Sequence, residues 1–208
     1  MAALPPLIRQ VRQIAAMSGA RPGELDNLTS HVEAFRTKIL THAPAPGKHL
    51  ESLPENHPTD FLIGDPVNDS CFHLQQFETV KRDILSWTAI IIANRLLQRL
   101  GALDKTLDVK IESAASCILS NIPLAKSTKS LGSLFITFSG PVVYGVTPTE
   151  NQLLIHDAMN EMFAEIHLKF SFGALQLISD LVTAGPLSVE IDHHTRKTES
   201  MTARTEEA

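Results

Sequence analysis

Cysteine is nearly absent from this chain: Cys71 and Cys117 are the only two in 208 residues. Two thiols, 46 positions apart, supply neither a disulfide framework nor a zinc knuckle. The expected setting is a reducing compartment. Cys117, inside SAASCILSNI, reads as a small buried apolar side chain, and a single bridge to Cys71 is the alternative. Surplus positive charge is also missing. The net charge is −5, with residues 1–59 at +1, 60–185 at −4 and 186–208 at −2. No part offers the basic stripe that phosphate neutralisation needs, so direct nucleic-acid binding is not expected. The only glycine-rich stretch, around 132–145, has neither the spacing nor the lysine of a phosphate loop. No nucleophile elbow and no metal-ligand dyad accompany it. Neither cofactor nor metal is expected, and an enzyme is the less favoured reading.

Long uncharged runs come next. Within ILSWTAIIIANRLLQRL, Ile84 to Leu100, the uncharged part ends at Asn94 and Arg95 follows. Eleven residues fall far short of the roughly twenty that span a bilayer. The second run, SLGSLFITFSGPVVYGVTPT at 130–149, has the length, but three glycines, two prolines and many hydroxyls lower its hydropathy. Pro141 is expected to break it near the middle, giving two short buried helical pieces or a helix and then a loop. A hairpin around Ser139-Gly140-Pro141 is the minority reading. No membrane span is expected.

What the chain does have is helical periodicity. The expected architecture is all-α: an irregular multi-helix domain with an N-terminal helical pair and a disordered C-terminal tail. Residues 1–42 hold the pair, at about 5–18 and 23–41. Pro5 and Pro6 suit a first helical turn, and Leu25, Leu28, Val32, Phe35 and Ile39 form a stripe. The arginines of residues 1–23 leave a mitochondrial-type presequence as the other reading of that segment. Residues 43–68, with five prolines between Ala43 and Pro66, read as a linker in which His49 and His57 are solvated.

The main domain is placed at 69–186. Its first helix is expected to start near Asp69 or Ser70, run to Leu100 and close on Gly101. From Ile84 on it is apolar on two faces, the mark of a helix buried between others. A second helix is expected at about 104–122, with Leu107, Ile111, Ala114, Ala115, Ile118 and Leu119 inward. TPTE at 147–150 predicts a capping box, with Thr147 as the cap, Pro148 in first position and Glu150 third. The helix it opens is drawn to about His167, and a last one to about 170–183. Residues 187–208 are polar and expected to be disordered.

Few residues suggest chemistry. Asp157, Glu161 and Glu165 step by four along a predicted helix, with Lys169 four further on. His156 and His167 do not fit the spacing of a carboxylate–histidine metal site, so the expectation is a solvated face with a Glu165–Lys169 pair. His193-His194 falls in the tail and carries no site. The candidate ligand or partner surface lies on the long helix. Trp87 is the only tryptophan, Ile91 shares its row, and Asn94 and Arg95 are polar on an otherwise apolar stretch. Such residues either pack and pair internally or face a cavity between helices.

The order of elements from about 60 to 185 resembles the C-terminal regulatory region of fungal zinc-cluster transcription factors. The shared pieces are SWTAIIIANRLLQRL, then AASCILSNI, then GSLFITFSGPVVYGVTP, then ENQLLIHDAMNEMF. The region of resemblance covers about 60% of the chain. The family's DNA contact uses six clustered cysteines, which this chain lacks, so no zinc-binding or DNA-contacting residue carries over. The resemblance implies a helical regulatory region without its DNA-binding head, nuclear or cytoplasmic, acting on a protein partner or a small hydrophobic effector. It also implies a link to secondary-metabolite biosynthesis. Two other readings stand beside it. One is a small accessory enzyme of a biosynthetic pathway, with 130–146 as a pocket wall and Asp157 or Glu161 as acid or base. The other is a peripheral membrane protein.

Overall fold

The computed structural model describes residues 3–16, 22–43, 66–127 and 130–185, and all regular structure among them is helical. The helices are α1 (Leu4–Ala16), α2 (Pro22–Leu40), α3 (Pro66–Arg99), α4 (Thr106–Leu119), α5 (Ile122–Ser127), α6 (Ser130–Tyr144), α7 (Thr149–Met162) and α8 (Phe172–Val182). A short 3-10 turn, Ala164–Ile166, follows α7. The all-α expectation holds. Residues 44–65, with His49 and His57, and the tail, with His193-His194, lie outside the described residues.

α3 organises the rest. At 34 residues it is about 51 Å long, taking 1.5 Å per residue. It starts at Pro66 rather than at Asp69 or Ser70, because proline is pre-set for the first helical position and needs no amide partner there. Every residue from Trp87 to Asn94 is buried. α2, α4 and α6 pack against this helix, with a smaller contact from α1. Its apolar all-round half is therefore the centre of the core. Ile84, Ile91, Ile92, Leu96 and Leu97 are at most 1% exposed. Each such side chain contributes about 1.5–3 kcal/mol on leaving water.

α3 ends as its sequence indicates. Gly101 has φ +86°, its N–H donates to the Gln98 carbonyl, and the Ala102 N–H donates to the Leu97 carbonyl, each at 3.0 Å. This is a Schellman closure, which needs a left-handed residue where glycine sits. α4 then folds back along α3 and buries Leu107, Ile111, Ala114, Ala115 and Ile118. It stops at Leu119, and the predicted 104–122 helix becomes two, because α5 restarts at Ile122.

Three local expectations are corrected. Pro141 does not break α6 near its middle: the helix continues to Tyr144, so it is a single helix followed by a loop, with no hairpin. Pro141 sits in the last turn, where little helix remains to disrupt. The capping box at 147–150 is not formed. Pro148 is the residue before α7, and the Thr147 hydroxyl donates backward to the Val143 carbonyl at 2.9 Å. Gln152 closes that loop instead, its side-chain amide donating to the carbonyls of Tyr144 (3.0 Å) and Thr147 (3.2 Å). Finally, α7 ends at Met162, and His167 takes a left-handed φ of 54°. Glu165 and Lys169 are therefore not on one helix face, and the carboxylate ladder stops at Glu161.

α1 and α2 join the same core. Leu4, Leu7, Val11, Leu28 and Val32 belong to the cluster built around α3. Arg12 also reaches the end of α8, donating to the carbonyls of Asp180 and Leu181.

Candidate functional site

The four residues singled out on α3 fall in two environments. Trp87, Ile91 and Asn94 are buried, at 4%, 0% and 0% exposure. Asp83, Trp87 and Asn94 stand at i, i+4 and i+11, which puts them on one side of the helix. The indole N–H of Trp87 and both amide atoms of Asn94 are buried without a hydrogen-bond partner. Asp83, equally buried, lies 3.6 Å from the Arg82 Nε. No described groove is lined by Trp87, Ile91 or Asn94.

Arg95 is half-buried and engaged. It donates to the Gln98 side chain at 3.1 Å and to the Gly145 carbonyl at 3.3 Å. Gln98 in turn donates to Asp108 at 2.7 Å. Burial lowers the Arg95 pKa from its ordinary value, as does nearby Arg99, while Asp108 works the other way. The guanidinium thus ties α3 to α4 and to the end of α6.

The open surfaces lie elsewhere. A groove of about 710 Å³ runs between α2 and α3. Its floor is Phe35 and Ile39 from α2, Leu85 and Ala89 from α3, and Ala3 beside α1. Lys38, Lys81 and Arg82 stand along it with His42, Glu78 and Ser86. Its α3 residues are on the side of the helix opposite Asp83, Trp87 and Asn94. A second groove, about 660 Å³, lies between α1, α6 and α8 over Leu4, Ile8, Phe138, Leu181 and Val182. Arg9, Arg12 and Gln13 edge it. A third, about 270 Å³, is more polar and lies between α1 and α2.

Sequence reasoning placed Phe35 and Ile39 on a packing stripe, and Leu85 and Ala89 fall in the part of α3 that it read as apolar on two faces. The structure leaves part of each open, with Phe35, Ile39 and Leu85 only half-buried. The available signal was the step on α3 from Lys81-Arg82 to Leu85 and Ala89, charge giving way to apolar side chains on one face.

The carboxylates of α7 are taken up locally. Asp157 is exposed and lies 3.1 Å from the Nδ1 of His156, and Glu161 pairs with Lys126 at 2.5 Å. The His156 ring stacks on Phe172, centroids 4.0 Å apart, and its Nε2 is 3.0 Å from the Asn160 amide nitrogen. Asn160 also bonds both backbone groups of Phe170. This cluster pins the 163–171 connection onto α7. Among the described residues no three His, Cys, Asp or Glu side chains form a metal-holding group. No described helix is long and apolar enough to cross a membrane.

No protein-family model, curated protein or solved structure matches this chain.

Proposed function

We propose that this protein is a non-enzymatic helical regulatory module that holds a small hydrophobic effector between its helices. The observation that carries this reading is the α2–α3 groove. Its volume lies in the range of about 300–1,000 Å³ usual for small-molecule sites, and it has an apolar floor with a few polar groups at its edge. Helix–helix clefts are a common place for such sites. The resemblance of residues 60–185 to the regulatory region of fungal zinc-cluster transcription factors supports a regulatory role, tied to secondary metabolism and exercised in the nucleus or cytoplasm. In that reading the effector is sensed next to α3, the helix on which the whole core is built, so occupancy reaches α4 and α6 through packed side chains.

Native mass spectrometry of the protein isolated from its own host tests this. The expected spectrum shows an added small-molecule mass on the folded chain. Ser86→Phe, at a half-buried position on the groove wall, should lower that occupancy at least tenfold while the far-UV circular dichroism stays the same. A folded wild-type chain that carries no added mass, before and after incubation with host metabolite extract, would sink the reading.

A further inference from the structure

We propose that the α2–α3 groove takes a single-chain amphiphile with a carboxylate head, a fatty-acid-like molecule. This rests on the effector-holding reading above and names the ligand class. The apolar part of the argument is geometric. The α3 lining runs from Glu78 to Ala89, about 16 Å along the axis at 1.5 Å per residue. Phe35, Ile39, Leu85 and Ala89 make an elongated apolar floor between two helices, which suits an alkyl chain better than a compact ring system.

The head group follows from charge. The molecule as a whole is acidic, at −5, yet this groove is edged by Lys38, Lys81 and Arg82 against one acid, Glu78. Glu78 is already committed to Lys81 at 3.3 Å. Arg82 lies 3.6 Å from Asp83 through its Nε, and its side chain is 71% exposed. The Lys38 ammonium has no partner among the described residues. The Lys38 ammonium and the solvent-exposed end of the Arg82 guanidinium, beside an apolar floor, complement one carboxylate, whose two oxygens accept from both. Lys38 and Arg82 come from opposite walls, so a bound head group bridges α2 and α3.

Isothermal titration of the full chain with decanoate, decanol and decylamine below their aggregation limits tests the assignment. Decanoate is expected to bind about tenfold tighter than decanol, the size of one charge-assisted hydrogen bond, and decylamine more weakly than either. In the Lys38→Gln/Arg82→Gln double variant the decanoate preference should fall to within about twofold. In wild type it should shrink at high salt, as exposed charge interactions do. Leu85→Asp should abolish binding of both decanoate and decanol. Ser86→Phe gives the same reading should Leu85→Asp fail to fold. Equal affinity for decanoate and decanol would overturn the anionic class and leave the effector-holding reading standing. No binding of either, as when residues 44–65 of the same chain cover the groove, would overturn the proposal, while the native mass spectrum judges the broader reading independently. A concentration-dependent dimer that Leu85→Asp dissociates would also overturn it, by making a second copy the occupant.

Discussion

Asn94 is fully buried with both polar atoms of its amide left without a partner, and the Trp87 indole N–H on the same side of α3 is also unpartnered. A buried polar group without a partner costs about 1–3 kcal/mol. Replacing it with an apolar side chain of similar branching should remove that cost. Asn94→Leu is therefore expected to raise unfolding free energy by about 1–3 kcal/mol in urea denaturation. A loss of stability instead would show that Asn94 has a partner in solution, such as an internal water. Asn160 is the opposite case, with its amide bonded to both backbone groups of Phe170. Asn160→Ala should cost about 1–3 kcal/mol, because it leaves those groups unmatched in a half-buried position. His167, exposed at φ 54°, carries a left-handed conformation that glycine adopts freely. His167→Gly should stabilise by about 0.5–1 kcal/mol, readable as a higher midpoint with an unchanged urea slope.

At the scale of helices, ends and crossings matter more than interiors. Gly101 closes α3 at φ +86°, and a side chain there would add about 1–2 kcal/mol of strain. Gly145 lies where α6 meets α8. A Cβ on it would fall 1.8 Å from the Ser179 Oγ and 2.7 Å from the Ser179 Cβ. Gly145→Ala is thus expected to destabilise by at least about 1–3 kcal/mol, and Ser179→Gly in the same chain to recover part of the loss. The two effects failing to couple in a double-mutant cycle would count against this crossing. The start of α4 depends on Asp104, whose carboxylate accepts from the Thr106 N–H at 2.8 Å. Hydrogen bonding by the Thr106 side chain and backbone holds the Asp104 carboxyl below its ordinary range. A lowered folded-state pKa means stabilisation that is present above the unfolded value and lost as pH falls through the folded one. Asp104→Ala should therefore lower stability at neutral pH and flatten the acid-side decline; an identical pH profile would argue against the cap.

At the scale of the whole chain, the two ends of the described structure meet. Arg12 on α1 donates to carbonyls in the last turn of α8, and α1 and α2 contribute buried residues to the cluster around α3. One shared core favours one cooperative transition. Trp87 fluorescence, reporting on α3, and far-UV circular dichroism, reporting on every helix, are expected to give coincident urea curves. A separate early phase in the dichroism would mean that α1 and α2 open independently. Arg12→Met should lower stability by about 1–3 kcal/mol by removing the charge-assisted bonds to the Asp180 and Leu181 carbonyls, of which the first also accepts from the Gly185 N–H at 2.9 Å.

Much of this was legible beforehand because helices are local objects. The stripe Leu25–Leu28–Val32–Phe35–Ile39, the uninterrupted run to Leu100 and the glycine behind it follow from side-chain period and backbone sterics within a few residues. The sequence by itself determined the all-α class, the burial of the run from Trp87 to Asn94 and the closure of α3. It misjudged the cap at Thr147, the break at Pro141 and the length of α7. There the outcome turned on competing partners: the Val143 carbonyl for the Thr147 hydroxyl, Gln152 for the loop carbonyls, Asn160 for the chain after α7. Only the tertiary structure decided which part of each apolar row stayed open. Leu85 and Ala89 differ little in type from Ile84 and Ala93. They line a groove because α2 and α3 meet on that side without filling it, and the fit of two surfaces is not encoded in either one alone.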